Sequence, residues 1–171
     1  MNENISIRRL IAEDLSAFFN LRLEALLNAP TAFLASYEEE RSLGAALYEN
    51  SITQNKANNL ILGAFSDQKL IGFIGVYQEE KQKTKHKANI WGMYVQPSYR
   101  SQGVGKVLMD DLLAYVKNNM NSLIITISVE ATNLSAKKLY ESYGFKTWGI
   151  EPDAMRINDK FYDEAHMALR L

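Results

Sequence analysis

The sequence predicts a mixed α/β (α+β) sheet protein, on two observations. Apolar residues change period along the chain, from helical spacing to strand alternation and back. The resulting order is strand, two helices, three strands, helix, strand, helix and two strands, which interleaves helices with strands that must share a sheet. Ile5 and Ile7 alternate with polar neighbours as a first strand. Over residues 12–28, Leu15, Phe18, Phe19, Leu23, Leu26 and Leu27 recur at helical spacing until Pro30 stops them. A second helix is expected over 43–52. Residues 60–65 and 70–78 form a hairpin about the turn 66–69, and a strand over 88–95 ends at Pro97, which cannot donate to a ladder. Past Gly103 a helix carries the stripe Val104, Val107, Leu108, Leu112, Leu113 and Val116, and Asn118 and Asn119 close it. The near-continuous β-branched run 123–129 has the pattern of a strand buried on both faces. A short helix over 134–143 ends at Gly144, suited to the residue just past a helix, and strands over 145–151 and 161–171 finish the chain.

The 171 residues, 47% of them hydrophobic, suffice for one domain over 1–171 with a substantial core, and no linker, repeat or low-complexity tract divides them. The absence of cysteine excludes a disulfide framework, a thiolate metal site and a cysteine nucleophile, and no metal is expected. A net charge of −1 argues against nucleic acid as a partner. The longest apolar stretch, 70–77, is too short to span a bilayer, and residues 1–9 lack the apolar core of a signal peptide, so a soluble, cytoplasmic protein with no membrane partner is expected. Charge is uneven: residues 1–80 carry 6 Lys/Arg against 11 Asp/Glu, residues 81–171 carry 13 against 9. That division suits a cationic substrate meeting an anionic cofactor, and equally two solvated faces. The lysines at 81, 83, 85 and 87, with His86 among them, read as a solvated hairpin tip.

The segment from Val95 to Lys106 lies between a strand and a helix and contains Arg100, Ser101, Gln102, Gly103, Val104 and Gly105. Glycine lets backbone turn tightly and approach a ligand closely, and the first turn of a helix presents unsatisfied N–H groups at its positive end. The segment is therefore a candidate anion cradle. It lacks the third glycine of a dinucleotide fingerprint, since Leu108 stands there, and it misses the spacing of a P-loop.

Arg100-x-x-Gly103-x-Gly105, preceded by Met93, Tyr94, Val95 and Pro97, resembles the acetyl-CoA signature of the GCN5-related N-acetyltransferase (GNAT) superfamily. Asn133-x-x-Ala136-x-x-Leu139-Tyr140-x-x-Tyr143-Gly144-Phe145 resembles its second motif. The likeness covers essentially the whole chain. It implies a mostly antiparallel sheet of six to seven strands, splayed between the fourth and fifth, flanked by about four helices. It implies acetyl-CoA as cofactor, with Met93, Tyr94 and Val95 along the pantetheine arm, Arg100 to Lys106 around the pyrophosphate, and Asn133, Ala136 and Tyr140 on the far side of the splay. The activity implied is N-acetyltransferase, moving acetyl to a primary amine of a small molecule or a peptide by direct transfer; the alternative is an acyl-CoA-binding sensor that transfers nothing. A homodimer paired through the last strand is also implied.

Several residues carry two readings. Asn133 is a good N-cap in its own right. Tyr140 is either a buried aromatic or, by the resemblance, the acid that protonates the departing thiolate, while Tyr143 reads as packing. The Val95 N–H is the expected oxyanion donor. Where several relatives carry a glutamate on the fourth strand, this chain has Asn89, which cannot act as a base and could only order a water. Glu24, Tyr37, Glu38, Glu40 and Trp91 are the acceptor-side candidates, with a solvated first helical turn as the other reading of Glu38 to Glu40.

Overall fold

Strands β1 (Ile5–Arg9), β2 (Asn59–Ser66), β3 (Lys69–Gln78), β4 (Lys87–Val95), β5 (Ile124–Glu130), β6 (Lys146–Ile157) and β7 (Lys160–Arg170) form one sheet in the computed structural model, which describes residues 5–171. Part of the stretch 1–9 considered for a leader thus lies outside the described residues. The strand order is β1-β2-β3-β4-β5-β7-β6, antiparallel throughout except for the parallel pair β4 and β5. This is the mixed, seven-stranded sheet that the segment order implies.

Helices α1 (Leu15–Asn28), α2 (Tyr37–Leu43) and α3 (Ala46–Thr53) cover one face, where Phe18, Leu21, Leu26, Tyr48, Phe73 and Tyr94 pack together. Helices α4 (Val104–Asn119) and α5 (Leu134–Ser142) cover the other, over Leu108, Leu112, Val116, Ile125, Ile127 and Tyr140. Five helices therefore flank the sheet, one more than expected. The additional one is α2, and its start is a capping box: Ser36 Oγ accepts from Glu39 N–H and Glu39 reaches back to Ser36 N–H. The expected end of α5 is present, with Gly144 at φ +91° just beyond it.

Two expectations need correction. β5 is buried on one face only: Ile125, Ile127 and Val129 are buried, whereas Thr126 is half-buried and Ser128 exposed, because α1 to α3 do not extend over this part of the sheet. The last strand, β7, is also unavailable for pairing across a dimer, since its two sides are taken by β5 and β6, and the free edge belongs to β6.

Among the described residues no helix is long and apolar enough to cross a membrane.

Candidate active site

The parallel ladder between β4 and β5 lasts only from Lys87↔Ile124 to Ile90↔Ile127, while β4 stays paired to β3 as far as Gly72↔Val95. From Trp91 to Val95 the β5-facing edge of β4 is therefore open, and the sheet splays there. A bulge marks the same place: Gly75 pairs with Gly92 and Val76 with Ile90, leaving Trp91 as the extra residue. The bulge switches the alternation. Before it Ala88 and Ile90 face α4; after it Met93 and Val95 do, while Gly92 and Tyr94 turn toward α1.

Backbone direction follows from one hydrogen bond. Gln96 N–H donates to Ile71 C=O at 2.9 Å, so Gln96, Tyr94 and Gly92 bond toward β3, and Met93 and Val95 point their N–H groups into the gap. The Val95 carbonyl accepts from Arg100 Nε at 2.9 Å, and the guanidinium lies 5.3 Å from the Tyr94 ring.

The loop beyond is a concave turn. Ser101 (φ +61°) and Gly103 (φ +85°) adopt left-handed conformations, a backbone arrangement that turns successive N–H groups inward to make an anion nest. A side chain on Gly103 would meet no atom within 4 Å, so the space before α4 is open, and glycine serves there for its positive φ. Val104 and Gly105 begin α4 and have no intrahelical acceptor for their N–H groups. Gly105 is needed for a different reason: a Cβ there would lie 3.1 Å from Met93 Cε, so its absence lets the helix start rest on β4. Gln102 folds back onto Ser98 C=O at 2.8 Å, and Lys106 is exposed.

Across the gap, Asn133 caps α5 by accepting from Ala136 N–H at 3.1 Å, so the capping reading holds. Tyr140 is 6% exposed, and its hydroxyl donates to Met93 Sδ at 3.8 Å. Burial pushes its phenol above the ordinary tyrosine value, so it stays protonated. The Tyr143 hydroxyl donates to Asp110 Oδ1 at 2.7 Å and lies 2.9 Å from Lys106 C=O, tying α5 to α4.

On the face carrying α1, a cavity of about 400 Å³ opens where β4 and β5 part. Its walls include Phe33, Tyr77, Asn89, Trp91, Ser128 and Glu164. A larger depression, about 590 Å³, lies at the tip of the β3–β4 hairpin around Gln78, Lys85 and His86, away from the splay. The indole of Trp91 crosses Gly75, where a Cβ would fall 2.1 Å from it, and stacks on Tyr48 at 5.7 Å. Trp91 thus lines the cavity at the splay.

The other acceptor-side candidates are placed differently. Glu40 is 3% exposed and bonded to Arg22 and Tyr48, so it neither contacts an acceptor nor forms a solvated turn; it neutralises a cation inside the α1–α2–α3 core. Glu24 accepts from Tyr94 Oη at 3.0 Å and Gln96 Nε2 at 2.8 Å, clamping α1 to the end of β4. Tyr37 and Glu38 border a separate cleft between α2 and β6. Asn89 is held at both ends, donating to Glu79 Oε1 at 2.9 Å and accepting from Thr126 Oγ1, so it ties β4 to β5 and to the residue just past β3. The carboxyl that reaches the cavity is Glu164, on β7. It is 8% exposed, and burial holds it above the usual carboxylate range, with His166 opposing and Glu151 adding to the rise.

The sequence profile of the acetyltransferase (GNAT) family matches residues 17–145. The chain belongs to that family. GNAT enzymes transfer acetyl from acetyl-CoA, and this chain is an N-acetyltransferase of that kind. It is 28% identical over 84% of its length to a spermidine N(1)-acetyltransferase of Thermoplasma acidophilum, of which it covers 89%. It is 25% identical over 63% of its length to the L-amino acid N-acetyltransferase AaaT of Escherichia coli, of which it covers 65%. Its fold superposes with a TM-score of 0.84, at 18% identity, on yncA, a putative acetyltransferase from Salmonella typhimurium solved with its cofactor acetyl-CoA; 98% of this chain and 94% of that one are covered. The GNAT chain has the parts such a cofactor requires: an open β4 edge with two free N–H groups, a left-handed nest at a helix start, and an open space that a side chain on Gly103 would enter.

Proposed function

We propose that the enzyme acetylates a primary amine on a small molecule, by direct transfer while acetyl-CoA and the amine are bound together. The observation that carries this is that the acceptor cavity opens at the splay, on the opposite face of the sheet from Tyr140. Acetyl-CoA supplies an acyl carbon activated by its sulfur. The chain's own groups do the rest. The nest from Arg100 to Lys106 holds the phosphates, the Val95 N–H holds the pantetheine arm, and Asn133 and Ala136 border it from α5. The N–H of Met93, closer to the vertex than the Val95 N–H expected from the sequence and belonging to the residue whose sulfur meets the Tyr140 hydroxyl, donates to the charge that develops on the acyl oxygen. Tyr140 delivers its proton to the departing sulfur. Burial raises the phenol, but a thiolate forming in the same apolar surroundings is disfavoured in the same way, so the transfer is not made steeper by burial.

A cavity of about 400 Å³ is the size of a small-ligand site: Glu164 in its wall suits an ammonium group and Trp91, Tyr77 and Phe33 suit an apolar or extended stem, while Arg22, which also lines it over the Phe33 ring, is neutralised by Glu40. The test is acetyl-CoA-dependent thiol release across polyamines, amino acids, arylalkylamines and peptides. Saturable release with a small amine is expected; release only with peptides, or with no amine, would overturn the reading.

A further inference from the structure

Three strands bring together a serine, a histidine and a glutamate in one hydrogen-bonded line. Ser128 on β5 lies opposite His166 on β7, and its Oγ is 2.8 Å from His166 Nδ1. His166 Nε2 is 2.9 Å from Glu151 Oε2 on β6. Trp148 stacks on the imidazole with centroids 5.4 Å apart, which fixes the ring plane. The line also has a defined tautomer. A carboxylate only accepts, so Nε2 carries the hydrogen and Nδ1 is free to accept from the serine hydroxyl.

Its position relates it to the reaction. Ser128 is the first residue of β5 past the last pair with β4, so it stands at the vertex of the splay, and it lines both the acceptor cavity and the adjoining one that contains His166. An amine arrives mostly as ammonium and must lose a proton before it can attack, and the acceptor side needs a group to receive it. Asn89 cannot, and Glu79 is bonded to Asn89.

We propose that Ser128, His166 and Glu151 form the proton relay for the acceptor amine. This rests on the N-acetyltransferase reading of the same site. The ammonium gives one proton to Ser128 Oγ as the serine hands its own to His166 Nδ1, and Glu151 stabilises the imidazolium through Nε2. The freed lone pair forms the C–N bond while the C–S bond breaks. His166, one-quarter exposed, passes that proton to solvent and takes the second from the adduct's nitrogen by the same line, while Tyr140 gives its proton to sulfur and regains one from solvent as the thiol leaves, so one proton is released per turnover. The charged groups facing the imidazole are Glu151 from β6, Glu164 on its own strand, and Glu79 and Lys87 across the adjoining cavity. Glu164, nearest the acceptor, is the group that receives the ammonium on binding. Ser128 would touch the substrate; His166 and Glu151 act through it as positioning and relay residues.

The experiment compares wild type with His166→Gln, Ser128→Ala and Glu151→Gln, using the best amine from the screen. His166→Gln should lower kcat by about 100-fold or more, the range of general-base catalysis, with the acetyl-CoA affinity measured by calorimetry unchanged. Ser128→Ala should fall similarly, and Glu151→Gln by a smaller factor. Added imidazole should partly restore His166→Ala. A rate for His166→Gln within twofold of wild type, with no rescue of His166→Ala by imidazole, overturns the relay while leaving the acetyltransferase reading standing. Failure of that reading is separate, since wild type itself would then release no thiol with any amine. Normal binding of acetyl-CoA by all four variants, His166→Ala included, shows that they fold.

Discussion

Replacing Glu40 with alanine separates a structural carboxylate from a substrate-binding one. The side chains of Arg22 and Glu40 are 5% and 4% exposed. Glu40 accepts from Arg22 Nη2 at 2.7 Å, Arg22 Nε at 3.1 Å and Tyr48 Oη at 2.8 Å. Among the described residues Arg22 Nη1 is already buried without a partner, so the mutation leaves a buried cation uncompensated and held only by its Nε bond to Tyr48 Oη at 3.1 Å. Breaking one side of such a pair costs about 3–5 kcal/mol, a large part of the roughly 5–15 kcal/mol that holds a domain together. At roughly 2–4 °C per kcal/mol for a chain of this size, the melting temperature should fall by about 6–20 °C. Urea unfolding followed by tryptophan fluorescence reads the same loss. The double variant Arg22→Met/Glu40→Leu should recover most of it, because a packed apolar pair removes the uncompensated charge. The Arg22 guanidinium also lies 4.4 Å from the Phe33 ring and 5.7 Å from that of Trp91, both at the acceptor cavity. The KM for the amine should therefore rise, with the acetyl-CoA dissociation constant unchanged. A loss below about 1 kcal/mol, the scale of an exposed pair, would refute the buried-pair argument.

Tyr140→Phe should reduce kcat at saturating acetyl-CoA by about 100-fold, in the range of general-acid catalysis, without weakening acetyl-CoA binding; an unchanged rate removes Tyr140 from the mechanism. Gly103→Val should raise the acetyl-CoA dissociation constant at least about tenfold, about 1.4 kcal/mol, since the new side chain both strains a φ of +85° and fills the open space before α4; an unchanged constant would place the phosphates elsewhere. Gly75→Ala must displace the Trp91 indole, so the KM for the amine should increase and stability should fall by about 1–3 kcal/mol, measurable by urea unfolding. Asp14 is held below its ordinary 3.8 by a hydrogen bond from Arg8, against burial and with help from the Ile11 N–H. A carboxyl lowered in the folded state stabilises above its unfolded value and loses that contribution as pH falls through the folded one. Stability curves of wild type and Asp14→Asn should therefore converge below pH about 4, the ordinary carboxyl range, and parallel curves would contradict this.

The fold and the cofactor side were legible because their signals are local. The continuous apolar runs of β2 and β3, the alternation of β4, the stripe of α4, and the glycines at 103 and 105 each specify backbone within a few residues. The acceptor side was not legible, for reasons that particular residues show. Glu38, Glu39 and Glu40 look alike in sequence, yet only Glu40 lies on the buried face of α2, and its partner Arg22 is 18 residues away. Ser36 and Glu39 did carry a readable signal, the spacing of a capping box, which would have located α2. Ser128, Glu151, Glu164 and His166 come from three strands and meet only through ladder register, with Ser128 and His166 separated by 38 positions. The β-branched run around Ser128 looked buried on both faces because hydrophobicity cannot reveal that the covering helices stop short of it.

The bulge at Trp91 explains why the catalytic parts can meet at all. Without the extra residue, strict alternation would leave Met93 on the face of Asn89 and Trp91, away from Tyr140. With it, Trp91 and Gly92 both lie toward α1, and Met93 moves to the α5 side, where its sulfur meets the Tyr140 hydroxyl. One inserted residue thus gives β4 an aromatic wall for the acceptor on one face and an acid-facing residue on the other, within three positions. It lies immediately past Ile90, the last residue of β4 paired with β5, so the bend and the opening coincide. Ser128 is the first residue past the matching end of β5. The proposed acceptor cavity, the free Met93 N–H and the proposed relay consequently converge on one vertex, the place where a ladder stops, and the register there decides which side chains meet.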